Sequence, residues 1–256
     1  MFSIGAVIVA TLVLFGLSHL STDPRNLYIP QGGGYGVTQE MLDELSKRMG
    51  LDKPFFVQYF HWLRNMLRGD LGYSFGNMKP VMSILASKYG ATLQLALGAW
   101  IFALSAGVSI GVLAAVKRGS LLDYIARGIA LFGQALPSFW VGIMLIMVFT
   151  VWLNLLPAGT RPVKLDLKYY ILPCLTLGWP PMAAIVRLTR SSMLEILDSE
   201  YIKFARAKGV SGWAVIWKHA LKNAIIVPLT SAIFLLGFFV VGSFVTEIVF
   251  SWPGVG

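Results

Sequence analysis

Apolar residues fill five long runs along this chain, and the polar residues gather between them. The first run, Phe2 to Leu20, holds 19 nearly uncharged residues, just enough to cross a hydrocarbon layer about 30 Å thick. No basic stretch precedes it, and His19-Leu20-Ser21-Thr22 is a poor small-residue cleavage site, so it reads as a retained span and not a removed signal peptide. Thr92 to Val116 is the second run, and Ile129 to Leu156 is a third that needs tilt or a bend to fit. Tyr169 to about Ile185 is the fourth, which Pro173 and Pro180-Pro181 are expected to break, and Ile225 to Val249 is the fifth. The pattern predicts an all-α polytopic membrane protein with five visible transmembrane helices.

Two polar stretches interrupt this pattern. Residues 21–91 carry eight basic and six acidic residues. Within them Thr38 caps a predicted helix whose Met41, Leu42, Leu45 and Met49 share a face and which Gly50 ends, and Asp52 and Pro54 open a second that Gly69 closes. The stretch reads as a small helical extracytoplasmic insertion, dividing the chain into 1–20, 21–91 and a core at 92–256. It serves either as a structural cap or as a docking surface, since exposed loops on rigid scaffolds often carry recognition. Ser199 to Pro228 is the other stretch, with Lys203, Arg206, Lys208, Lys218 and Lys222 against Glu200 alone. Gly209 and Gly212 interrupt its helical pattern, which predicts two short helices with a bend. Charge alone leaves it as a segment held on anionic headgroups or as a protein-docking loop.

Composition agrees with the membrane reading: of 256 residues, 56% are hydrophobic and 13% charged, about half the charged share of a soluble domain. The net charge of +9 does not indicate nucleic acid, because the basic residues lie at the ends of apolar runs. Positive charge also orients the chain. Lys117, Arg118 and Arg127 with seven basic residues from Arg187 to Lys222 fall on one side, against Arg161, Lys164 and Lys168 on the other, so the first set is cytoplasmic. The N-terminus is then inside, the insertion outside. Cys174 alone excludes an intrachain disulfide, and His19, His61 and His219 have no ligand spacing, so neither metal nor cofactor is expected.

Gly107-Val108-Ser109-Ile110-Gly111 fits G-x-S-x-G, but that nucleophile elbow needs a strand-turn-helix and a His/acid pair. As G-x-x-x-G it reads as a close helix-packing face. No Gly-Lys dipeptide and no H-E-x-x-H occur, so the chain does not hydrolyse ATP alone. Polar groups inside the apolar runs, namely Gln134 and Ser138 around Pro137 and Glu247 in the fifth run, are candidates for a translocation path. Against this stand a kinked backbone that Gln134 satisfies, and a shallow Glu247 that reaches headgroups or ties down the following turn.

The residue order in the basic loop resembles the coupling loop of ABC importer permeases, specifically the peptide/nickel family. The matching positions are Lys203, Phe204 and Ala205, then Gly209 four residues on, followed by His219, Ala220, Asn223, Ala224 and Pro228, and the resemblance makes Lys203, Phe204, Ala205, Arg206, Ala207, Lys208 and Gly209 the ATPase-coupling loop. Lys203 stands where the wider superfamily has glutamate. Gly50 to Pro54 (GLDKP), Gln58-Tyr59, Gly69 to Ser74 (GDLGYS), Arg187 to Leu197 and Gly242 to Gly256 (GSFVTEIVFSWPGVG) are similar to family strings at matching spacing. The resemblance implies a non-enzymatic permease of a bacterial or archaeal cytoplasmic membrane, surrounded by lipid. It implies a second homologous permease subunit, two ATP-binding subunits docked at residues 199–222, and an extracytoplasmic solute-binding protein. Family substrates are di- and oligopeptides, nickel chelates, glutathione and some oligosaccharides. Family members usually carry arginines ahead of the first span and one more span after P-G-x-G. A free-standing secondary transporter is the alternative class, but it would show paired inverted repeats and midplane charges.

Overall fold

The computed structural model describes residues 2–21, 53–74, 79–160 and 166–256. By its own contacts the chain forms two units, Met1–Ala86 and Ser87–Gly256. In the first, α1 (Phe2–Ser21) pairs with α2 (Phe55–Leu67). The Phe15 ring packs against Phe55, Tyr59 and Trp62 at 5.5, 5.7 and 5.5 Å, and the Thr11 and Tyr59 hydroxyls share a hydrogen bond of 3.0 Å. Pro54 precedes α2 and Gly69 follows it with a φ of +82°, as expected from the sequence. The helix predicted after Thr38 lies outside the described residues.

The second span is longer than its apolar run. α3 (Val81–Val116) starts about three turns before Thr92. Its buried face is an i, i+4 ridge of mostly small residues, Ala91, Leu95, Ala99, Ala103, Gly107, Gly111 and Ala115. This ridge packs against α6 (Lys168–Leu197), on which Gly178 lies by Ala99, Ile185 by Gly107 and Thr189 by Gly111. The register shows that α3 and α6 run parallel. A Cβ on Gly111 would stand 2.6 Å from Thr189 Cβ and 2.8 Å from the Val186 carbonyl oxygen. The close-packing reading of G-x-x-x-G therefore holds.

The proline-rich fourth span is not broken. α6 runs unbroken through Pro173, Pro180 and Pro181 and on through the RLTRSSMLEIL string. Pro173 and Pro181 are buried, with Gly178 seated against Phe102 and the Ala99 carbonyl. Dense packing on neighbouring helices holds a helix together across the hydrogen bonds that proline removes. The breaks fall elsewhere. α4 (Leu121–Ala135) and α5 (Ser138–Leu145, continuing as a π-helical stretch Ile146–Trp152) meet at 112° across Leu136-Pro137. After the basic loop, α10 (Ile226–Phe234) and α11 (Leu236–Val249) meet at 53°.

Candidate functional site

The basic loop folds as two short helical pieces. α7 (Glu200–Ala207) follows Ser199, ends at Lys208, and turns at Gly209, whose φ of +77° is the left-handed conformation that glycine adopts without strain. Gly212 is not a second break: it opens α8 (Gly212–Ala214), and Ser211 caps that start by accepting from the Ala214 N–H at 3.4 Å. A π-helical stretch (Val215–Ala220) and α9 (Leu221–Ala224) continue it.

Small and branched side chains explain the spacing of this stretch. Ile202, Val215, Ala220 and Ala224 are buried together with Val112 and Ala115 of α3 and Met193 of α6. Ala220, Ala224 and the buried Pro228 recur every four residues, so one face of the second piece stays smooth against the bundle. His219 Nδ1 bonds the Tyr201 hydroxyl at 2.7 Å and ties the two pieces, and Asn223 Nδ2 donates to the His219 carbonyl at 3.2 Å. The H-A-x-x-N-A-x-x-x-P order is thus a packing pattern.

The opposite face of α7 is open. Lys203, Phe204, Arg206, Ala207, Lys208 and Gly209 are exposed, whereas Ala205 is buried beside Ile202. Lys208 Nζ lies 4.4 Å above the Phe204 ring, Lys203 pairs with Glu200 at 2.8 Å, and Trp213 stands 71% exposed nearby in sequence. The exposed face of α7 is thus cationic and aromatic, over a side buried through Ile202 and Ala205. Of the predicted loop residues, only Ala205 turns inward.

The predicted path residues lie in different surroundings. Gln134 is exposed near the α4–α5 bend, with only a long 3.4 Å contact from Nε2 to the Ala130 carbonyl. Pro137 makes the bend itself, and Ser138 is half-buried at the start of α5. Glu247 is 2% exposed. Its Oε1 accepts from Thr92 at 2.6 Å and Ser243 at 3.0 Å, and its Oε2 accepts from the Gly256 N–H at 2.6 Å. Thr92 Oγ1 also accepts from the Val255 N–H at 3.0 Å, and Trp252 Nε1 donates to the Ala91 carbonyl at 3.0 Å. A Cβ on Gly254 would collide with the Glu247 carboxylate. Glu, Trp, Pro-Gly and Gly of the TEIVFSWPGVG string therefore form one folded turn around a carboxylate.

One feature escaped the sequence reading. Asp123, in the first turn of α4, is 1% exposed and receives Arg190 of α6 in a fork, Nε to Oδ1 at 2.6 Å and Nη2 to Oδ2 at 3.0 Å. The Gly119 N–H donates to Oδ2 at 3.0 Å, and Arg127 stands 3.5 Å away. The buried Asp123 carboxylate thus meets a guanidinium on both oxygens and a backbone donor on one of them, so its charge is fully partnered. The sequence cue was an acid at the N-terminus of an amphipathic helix, followed four residues on by arginine.

A helical core with apolar helices long enough to span a membrane, carrying an exposed basic loop, defines a polytopic membrane protein. Residues 107–256 match the family described as binding-protein-dependent transport system inner membrane component, and residues 3–96 match its N-terminal component family. The chain belongs to this family and is a permease subunit of an ABC importer. It is 39% identical to the dipeptide transport system permease protein DppB of Escherichia coli (strain K12), over 96% of this chain and 80% of that protein. The di/tripeptide transport system permease protein DppB of Pseudomonas aeruginosa (strain UCBPP-PA14) is 38% identical over 96% and 80%. The glutathione transport system permease protein GsiC of Escherichia coli (strain K12) is 37% identical over 97% and 79%.

Proposed function

We propose that this subunit forms half of a pore for short peptides in the cytoplasmic membrane of a bacterium or archaeon. A second homologous permease subunit completes the pore, an extracytoplasmic solute-binding protein loads it near residues 21–91, and two ATP-binding subunits drive it. ATP hydrolysis resides on those partners, and this chain is moved by them. The observation that carries the reading is α7: its Ile202 packs into the bundle and its Ala205 is buried, while Lys203, Phe204, Arg206 and Lys208 face out. Peptides are favoured because the relatives are named for dipeptides, di/tripeptides and glutathione, itself a tripeptide.

The parallel run of α3 and α6 supports the orientation. It puts the 117–123 turn and the basic loop at one end of the core, where Arg118 and Asp198 meet at 3.6 Å, and the Glu247 turn at the other. The first end is cytoplasmic. Gln134 is the favoured path residue, because an exposed amide at bilayer depth needs a cavity or a partner subunit. Glu247 acts as an anchor, since both its oxygens are engaged within the subunit. The test is Arg206→Glu and Gly209→Pro in the assembled transporter. Charge inversion at the interface and a distorted turn are expected to cut peptide uptake at least tenfold and to abolish stimulation of ATP hydrolysis by the loaded binding protein. Unchanged uptake and stimulation in both variants would overturn the docking role.

A further inference from the structure

The inward face of α4 is nearly featureless. Asp123, Ala126, Ala130 and Gly133 are its buried residues, and a Cβ added at Gly133 would collide with the Ala183 Cβ of α6. Such a smooth face lets two helices approach closely but offers little to stop one from sliding or turning along the other. Asp123 is the exception. Its fork with Arg190 fixes distance and plane together, as a single contact does not, and the Gly119 N–H brings the preceding turn into the same knot. Opening the fork would strand a carboxylate of 1% exposure away from its guanidinium.

The position of this knot in the chain gives it a mechanical meaning. α6 continues without interruption from Arg190 to Leu197, and α7 begins at Glu200. On the other side, α4 leads from Asp123 to the 112° bend at Leu136-Pro137 and the exposed Gln134. We propose that the Asp123–Arg190 pair is a positioning joint that makes α4 move with α6 and α7, delivering displacement of the basic loop to the bend at Pro137. The joint stays closed through the transport cycle. This inference rests on the docking role of α7 proposed above, and goes beyond it in naming how the motion enters the membrane.

The joint is tested in the complete transporter reconstituted in liposomes with its binding protein, using alanyl-alanine as the transported probe and normalising to assembled complex. Asp123→Asn and Arg190→Gln are expected to lower dipeptide moved per ATP hydrolysed at least tenfold. Arg190→Lys, which keeps the charge but loses the fork, is expected to lower it about threefold and serves if the neutral variants do not assemble. A merely structural role would lower the amount of complex and leave this ratio unchanged. In a Cys174→Ser background, Asp123→Cys with Arg190→Cys should transport poorly until a short bifunctional thiol reagent bridges the pair, and then recover. A wild-type ratio in the single variants, or a bridged pair no better than the unbridged one, overturns the joint. Arg206→Glu run alongside separates the two claims. If it uncouples and Asp123→Asn does not, the docking role stands and the joint falls; if neither uncouples, both fall.

Discussion

Asp123 and Glu247 are almost equally buried carboxylates, and they solve burial by different chemistry. They sit toward opposite ends of α6: Asp123 bonds Arg190, whereas the Glu247 turn brings Trp252 to 4.8 Å from Tyr170, 20 residues or about 30 Å earlier along the helix. Asp123 is met by cations and one backbone N–H. Glu247 is met only by hydroxyls and a backbone N–H, most of them from its own helix and the turn that follows. The first arrangement fastens helix to helix. The second folds a short segment onto itself and onto the start of the apolar part of α3, so an acid in a span need not mark a pore.

The largest expected effect sharpens that contrast. Asp123→Ala leaves Arg190 without its counter-charge, which costs about 3 kcal/mol, the low end for a broken buried pair, because the Arg190 side chain keeps 21% of its surface exposed. Glu247→Ala strands neutral donors, for about 2 kcal/mol. Isosteric changes should separate the two further: Glu247→Gln still offers an acceptor to Thr92 and Ser243 and costs about 1 kcal/mol, less than Asp123→Asn. Thermal unfolding of the purified complex checks the order, and a Glu247 variant that destabilises more than its Asp123 counterpart breaks the comparison.

The contrast also shows what could be read without coordinates. The parallel small-residue ridge was visible as Gly107-x-x-x-Gly111, and the turn at Gly209 as a glycine between amphipathic pieces, because both are local consequences of residue size and backbone freedom. Proline misled, since Pro180-Pro181 breaks an isolated helix but not one clamped by Phe102 and the α3 backbone. The start of α3 at Val81 was hidden because Ser83, Lys88 and Tyr89 are polar enough to look like loop. Asp123–Arg190 joins positions 67 residues apart, and no local periodicity pairs an acid with one of several arginines. Glu247 was legible as a choice between two roles, and only its partners favour one of them.

A smaller effect is expected one residue from Arg190, where Thr189 of α6 packs on Gly111 of α3 by contact alone. Gly111→Leu places a side chain where Thr189 and the Val186 carbonyl already stand, and overpacking costs about 1–3 kcal/mol. If the ridge is as tight as its distances indicate, Gly111→Ala should lower the unfolding temperature as well, and Gly128→Ala, where a Cβ meets nothing within 4 Å, should not. Equal behaviour at both glycines would mean that the helices can part, and that the two ends are not rigidly linked through α6.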